Sequence, residues 1–202
     1  MPTSWVQPIF IYSIIYDFAS YLILSSIFIL IYKKKIISIK YLYINFIFLL
    51  TPFLFNGFLF DWSLFPDQSK YLELSYKIRE NPQTFFEFLN HSSKDFKLFL
   101  SSLFFAFSPI LSMETYVGIS LYNRFLFLIT LLFLFHKKFF DNYILILLII
   151  SPSLILYSSL ALRDNLIIIL VLWFLYFFYQ KKYFFFIYYN YFINLIKIST
   201  YN

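Results

Sequence analysis

Arg163 and Asp164 are the charged pair best placed to do chemistry, because they interrupt the most hydrophobic part of the chain. They lie between the apolar runs Tyr143–Ile150 and Leu166–Tyr179. A guanidinium presents a planar fork of donors that binds phosphate through two parallel hydrogen bonds. A charge costs about 2.5–3.5 kcal/mol at the centre of a membrane helix. We therefore expect this pair at a membrane face or in a polar cavity.

Two plainer interpretations of this pair stay open. Arg163 could serve only as an ion-pair partner for Asp164 or as an anchor at the membrane interface. Asp164 could orient the guanidinium, or it could cap a helix that begins at Asn165 or Leu166.

Asp67 is the carboxylate best suited to act as a base or to hold a cation. It follows Pro66 at the start of a predicted helix, where unpaired backbone N–H groups favour an ionised carboxylate. Such a group could accept a proton from an acceptor hydroxyl or hold a divalent cation. The alternative is a solvated charge at a helix terminus. Asp61, in the same loop, is the second candidate catalytic carboxylate.

The remaining polar residues offer weaker chemistry. Arg124 lies in an apolar run after Glu114, where an ion pair or a side chain reaching to the membrane surface would explain it. Asp17 is interpreted as an interfacial or helix-packing residue. The sequence has no cysteine, no histidine at metal-ligand spacing and no glycine-rich phosphate loop.

The composition is that of an integral membrane protein. Of 202 residues, 61% are hydrophobic and 13% are charged. No polar stretch is long enough to enclose a core of its own, so the chain is expected to be one membrane domain, residues 1–202. The net charge of +6 does not indicate nucleic acid, because the lysines follow apolar runs in short clusters. Such clusters are typical of cytoplasmic anchors.

The apolar runs and the lysine clusters together predict an all-α bundle of about five spans. Tyr183–Ile198 is a poorer last candidate, and 183–202 could be an aberrant or truncated tail. Phe96–Ser112 is short and is predicted to be re-entrant or interfacial, because all lysine clusters then lie on one side. The predicted spans are Ile9–Tyr32, Tyr41–Phe60, Val117–Phe135, Tyr143–Ser159 and Leu166–Tyr179.

The polar segment Asp61–Asp95 follows the second predicted span and holds six of the ten acidic residues. Tyr71, Leu74 and Ile78 recur at helical spacing, which predicts an amphipathic helix over Pro66–Glu80. A second short helix is predicted over Thr84–Asn90. This topology places the loop on the same extracytoplasmic face as Arg163, so one site is expected there, rimmed by aromatic rings that suit the interface or a sugar face: Trp62, Tyr71 and Tyr157.

Two stretches together resemble known proteins. The segment 66–72, PDQSKYL, is similar to the acidic first-loop motif of GT-C-type membrane glycosyltransferases and of bacterial surface-polysaccharide polymerases. The segment 151–159, SPSLILYSS, followed by Leu162-Arg163-Asp164, resembles a segment of the same envelope proteins. The resemblance implies a multi-pass enzyme of the bacterial cytoplasmic membrane whose donor is a sugar on polyprenyl phosphate.

The resemblance also implies roles for individual residues. Asp67, with Asp61, would be the base or the ligand of a divalent cation, which is the one cofactor the motif suggests. Arg163 and Lys70 would lie near the lipid phosphate, and Asp164 would support them. The expected partners are membrane lipid, a lipid-linked sugar donor and other membrane proteins.

Three alternatives to an enzyme stay open. A flippase-like or transport component would line a path with Asp17, Glu114, Arg124 and Arg163. A non-catalytic membrane subunit or an inactive fragment would fit the small number of spans, since enzymes of this type have eight or more. Most charges gather in one loop and at one helix start, and this distribution favours the enzyme.

Overall fold

The computed structural model describes residues 11–56, 58–60, 65, 67–81, 83, 96–111 and 115–180. Its regular elements are α-helices, which agrees with the predicted all-α class. Asp61, Trp62, the predicted helix Thr84–Asn90 and the predicted segment Tyr183–Ile198 lie outside the described residues. The helices are α1 (Ile11–Lys33), α2 (Ile39–Leu49), α3 (Thr51–Phe55), α4 (Asp67–Glu80), α5 (Phe96–Ala106), α6 (Tyr116–His136), α7 (Asn142–Ile150), α8 (Pro152–Ser158) and α9 (Asp164–Tyr179).

Two helices are long and apolar enough to cross a bilayer. Ile14–Lys33 has 20 residues and Tyr116–His136 has 21. At about 1.5 Å per residue, each reaches about 30 Å, the thickness of the hydrocarbon core. Among the described helices these two alone reach that length unbroken.

α6 is the centre of the bundle. It packs against all eight of the other described helices. Its leucines are buried on every side of the helix, with Leu121, Leu128 and Leu131 completely inaccessible to solvent. A helix that is apolar all round needs neighbours on every face, and this pattern explains its position.

Two of the predicted spans are broken by proline. The segment predicted as Tyr41–Phe60 forms α2 and α3, with Pro52 in the first turn of α3. The segment predicted as Tyr143–Ser159 forms α7 and α8, with Pro152 in the first turn of α8. Proline has no N–H to donate and its ring clashes with the preceding turn, so each helix stops and restarts.

The turns that join α1 to α2 and α6 to α7 have the same geometry. Lys35 and Lys138 adopt positive φ angles of 56° and 57°. The N–H groups of Ile36 and Phe139, one residue later, each donate to a carbonyl five residues back. This is the Schellman arrangement, in which a residue in the left-handed region ends a helix. The Tyr41 hydroxyl donates to Asn142 Oδ1 at 2.6 Å, so both turns lie at one end of the bundle.

The amphipathic helix predicted over Pro66–Glu80 is present as α4. Tyr71, Leu74 and Ile78 are buried, as their spacing predicts. α4 packs along α5, and the Ser75 hydroxyl donates to the Ser102 carbonyl at 3.1 Å. α5 has 11 residues, about 16 Å, and is too short to cross a bilayer.

Candidate functional site

The turn between α8 and α9, residues 159–163, carries Arg163 and is fixed by buried amides. Asn123 Nδ2 donates to the carbonyls of Leu160 at 2.6 Å and Leu162 at 3.1 Å. Asn165 Nδ2 donates to Asn123 Oδ1 at 2.9 Å and to the Asn123 carbonyl at 2.8 Å. Both amides are completely buried. Since a buried carbonyl without a donor is costly, these bonds hold the turn in one conformation.

Two further elements hold the same turn. Asn56, at the end of α3, donates through Nδ2 to the Ser159 carbonyl at 2.8 Å. Gln68, in the first turn of α4, accepts at Oε1 from the Ala161 N–H at 2.8 Å. Gln68 is 2% exposed, so this contact seats the N-terminus of α4 against the arginine-bearing turn. The sequence signal for these amide residues is an asparagine in an apolar helix or a glutamine beside a candidate acid.

Asp67 and Lys70 lie on the exposed side of the first turn of α4. Lys70 Nζ is 2.9 Å from Asp67 Oδ1, and both side chains are 61% exposed. Their neighbour Gln68 faces the opposite way, into the bundle. The first turn of α4 therefore presents a carboxylate and an ammonium to solvent beside the turn that carries Arg163.

Tyr71, also on α4, is a buried residue whose hydroxyl is affected by the charges of these groups. Its side chain is 3% exposed, and burial raises the pKa of its hydroxyl to about 12. The positive charge of Arg163 acts to lower this pKa, while the negative charges of Asp67 and Asp164 act to raise it. The hydroxyl stays protonated at neutral pH and can donate a hydrogen bond. Tyr71, predicted as a rim residue, is therefore buried, and the charges of Asp67, Arg163 and Asp164 act on its hydroxyl.

Arg163 and Asp164 do not pair with each other. The two salt bridges between described residues are Lys70–Asp67 and Lys77–Glu73. Arg163 is the residue before α9 and makes no side-chain capping bond, and Asp164 is the first helical residue. The prediction that Asp164 caps the helix is therefore wrong by one position. Its carboxylate in the first turn instead complements the helix dipole.

Tyr157 lies on α8 and is 41% exposed at the surface of the bundle. Asp61 and Trp62 lie outside the described residues, and the structure gives them no position.

Arg124 is buried in the bundle and does not reach the membrane surface, so the interpretation as a surface-reaching side chain is wrong. It is 0% exposed, and its three nitrogens bond to protein. Nε donates to the Phe48 carbonyl at 3.1 Å, Nη1 to Ser158 Oγ at 2.5 Å, and Nη2 to the Ile149 carbonyl at 3.3 Å. The guanidinium also lies within 6 Å of the Phe48 and Phe127 rings. Glu114, the predicted ion-pair partner of Arg124, is outside the described residues.

Asp17 is a helix-packing residue, one of its two predicted roles. It is 4% exposed and accepts a hydrogen bond from the Thr115 hydroxyl. Thr115 caps α6 by accepting from the Gly118 N–H at 2.9 Å. With Arg124 also buried, two of the four charges proposed to line a transport path are enclosed by protein.

No group of three or more histidine, aspartate or glutamate side chains in the described ranges is arranged to hold a metal ion. The site described is therefore an exposed acid and ammonium, a buried hydroxyl and a guanidinium at one end of the bundle.

Comparisons of the chain with protein-family models, with curated proteins and with solved structures find no match.

Proposed function

We propose that this chain is a membrane enzyme that transfers a glycosyl group, or polymerises polysaccharide repeat units, from a polyprenyl-phosphate-linked sugar at the outer face of the bacterial cytoplasmic membrane. The observation that carries the proposal is the contact between Gln68 and Ala161. It seats the helix that bears Asp67 and Lys70 against the turn that bears Arg163. A base and two phosphate-binding cations at one end of a bundle are the groups that such a transfer requires.

The surface of the outer helices supports placement in a membrane. Large apolar side chains are exposed along α1, α2, α3, α7 and α9, and so much exposed apolar surface is unfavourable in water. In lipid it would be the contact surface. We infer five crossings: α1, the broken helix α2–α3, α6, the broken helix α7–α8, and α9. Examples of these exposed side chains are Ile15, Phe18, Leu22, Tyr43, Ile47, Leu54, Tyr143, Leu147, Val171 and Leu175.

The proposed transfer uses the groups as follows. Arg163 and Lys70 bind the phosphate of the donor. The bond between this phosphate and the sugar breaks, and the phosphate leaves as polyprenyl phosphate with the electron pair of that bond. The acceptor hydroxyl oxygen forms the new bond to the sugar carbon, and its proton passes to the Asp67 carboxylate. The protonated hydroxyl of Tyr71 is a hydrogen-bond donor on the buried side of the site, and it helps to hold these charges in place.

Orientation is tested by labelling from outside the cell. The chain has no cysteine, so single cysteines at Ser38, Asn142 and Lys77 give an unambiguous readout. All three positions are exposed. We expect an impermeant thiol reagent to label Lys77→Cys in intact cells, and to label Ser38→Cys and Asn142→Cys only after the cells are opened. Labelling of either of the latter two in intact cells would contradict the proposed topology.

The base is tested by Asp67→Asn. We expect this variant to lose transfer by about 100-fold or more, because general-base catalysis contributes on that order, while it still binds polyprenyl phosphate. Transfer and binding would be measured on protein reconstituted in nanodiscs. Glu73→Gln is the matched control, since Glu73 pairs with Lys77 on the same helix as Asp67 pairs with Lys70. Wild-type transfer by Asp67→Asn would remove the proposed base.

A further inference from the structure

The two lysine turns at the other end of the bundle form one basic surface. Six lysines are exposed there, and none of them has a carboxylate within 4.0 Å among the described residues. His136 is exposed beside them, and Asp141 is the one acidic residue in these turns. The lysines are Lys33, Lys34, Lys35 and Lys40 around the first turn, and Lys137 and Lys138 in the second.

The two turns are held together and are equivalent in register. The Tyr41 side chain bonds to Asn142 at 2.6 Å and packs on the Phe135 ring at 5.1 Å, so α2 is fixed against the start of α7 and the end of α6. Lys35 and Lys138 hold the same left-handed conformation. Lys35 and Lys138 are 103 positions apart in sequence, the same separation as that of Asn56 and Ser159, which bond to each other at the far end. The basic surface is thus built from two turns of the same backbone conformation.

Aromatic side chains place this surface at a membrane interface. Phe133, Phe139, Trp173, Tyr176 and Tyr179 form a cluster of rings at the ends of α6 and α9. Lys137 Nζ lies 5.6 Å from the centre of the Phe133 ring. Rings of this kind favour the headgroup level, where an adjacent ammonium meets lipid phosphate.

We propose that the two turns together bind the headgroup of an anionic phospholipid that carries two phosphates, one phosphate at each turn. The unpaired charges supply the attraction, since basic residues beside a membrane helix attract anionic lipid. Because Tyr41 holds the two turns beside each other, a headgroup with two phosphates can contact both turns. The inference rests on the membrane placement proposed above but not on glycosyl transfer, so loss of transfer in Asp67→Asn would not affect it.

The test uses native mass spectrometry and thermal unfolding of the purified chain in detergent, with three lipid probes. These are cardiolipin with two phosphates, phosphatidylglycerol with one, and zwitterionic phosphatidylcholine; inorganic pyrophosphate tests for binding of free phosphate. We expect cardiolipin to bind at least tenfold more tightly than phosphatidylglycerol and to raise the unfolding midpoint. Equal binding of all three lipids, or binding of pyrophosphate as tight as that of cardiolipin, would overturn the proposal.

Variants decide whether one composite site exists. We expect alanine in place of both Lys34 and Lys35, or of both Lys137 and Lys138, to lower the affinity for cardiolipin to that for phosphatidylglycerol. Tyr41→Phe keeps every charge but loses the bond to Asn142, so it should weaken the preference for cardiolipin without weakening phosphatidylglycerol. Lys77→Ala, on α4 and outside both proposed phosphate sites, is the control and should change neither. Independent, additive losses from the two turns would contradict a composite site.

Discussion

Arg124→Ala is expected to lower the stability of the folded chain by about 3 kcal/mol or more, the largest effect of any single substitution considered. The guanidinium is completely buried and donates to three acceptors on two different broken helices. The Phe48 carbonyl keeps the Thr51 hydroxyl as a donor, but the Ile149 carbonyl loses its side-chain donor. A buried acceptor left without a donor costs about 1–3 kcal/mol. Part of this loss is offset because a buried guanidinium is itself costly to desolvate.

The proline breaks explain why these acceptors need an arginine. In a continuous helix, the N–H at position 52 would donate to the Phe48 carbonyl, but Pro52 has none. That carbonyl instead receives the Thr51 hydroxyl at 2.9 Å and Arg124 Nε. The Ile149 carbonyl is one of the last four of α7, which lack partners within their own helix. One side chain on α6 thus satisfies groups that both breaks expose.

The measurement is the unfolding midpoint in mixed micelles on titration with a denaturing detergent. Arg79→Ala is the matched control: Arg79 also donates to a carbonyl, that of Ile110 at 2.9 Å, but it is exposed. We expect this control to lose no more than about 1 kcal/mol. In a Pro52→Ala background the Arg124→Ala loss should shrink, because the new N–H can reach the Phe48 carbonyl. A wild-type midpoint for Arg124→Ala would contradict the role assigned to the guanidinium.

The sequence predicts those parts of the fold that depend on local pattern. Helix α4 follows from the spacing of Tyr71, Leu74 and Ile78, and helices α1 and α6 follow from long apolar runs. The break at Pro152 was missed although proline is a local signal, because Ser151–Ser159 was interpreted as the end of one span. Apolar composition was given more weight than the missing donor.

The long-range polar contacts could not be predicted from the sequence. Two of the three acceptors of Arg124 lie 76 and 25 residues away, and they are backbone groups that any sequence would supply. Asn123 and Asn165 meet across 42 residues. The sequence marks such side chains as costly in an apolar helix, but only the packing of the helices shows which carbonyls they reach.

Arg163 is the candidate-site residue best suited to bind an anion. Its position was predicted to be at the face that carries the loop, and the contact between Gln68 and Ala161 brings the first turn of α4 to the turn that bears Arg163. Among the described residues it has no carboxylate partner within 4.0 Å. A half-buried guanidinium with its fork uncommitted to a carboxylate is suited to bind an anion from outside the chain.

Arg163→Lys is accordingly expected to lower donor binding and sugar transfer nearly as much as Arg163→Ala, each by about 10- to 100-fold. Lysine keeps the charge but loses the planar fork that binds phosphate through two bonds. Both variants should keep the wild-type unfolding midpoint, because the turn is held by Asn123, Gln68 and Asn56 and not by Arg163 itself.

The control for this substitution is Arg79→Lys, because Arg79 makes one bond to a backbone carbonyl, which an ammonium can also make. The assay is polyprenyl-phosphate binding and transfer in nanodiscs, run beside the unfolding midpoint so that loss of fold and loss of function are separated. If Arg163→Lys transfers at the wild-type rate, the guanidinium is an interface anchor and does not bind phosphate. If it binds the donor normally but transfers slowly, the fork acts on the leaving phosphate in the transition state, and the assignment of Arg163 to the site still holds.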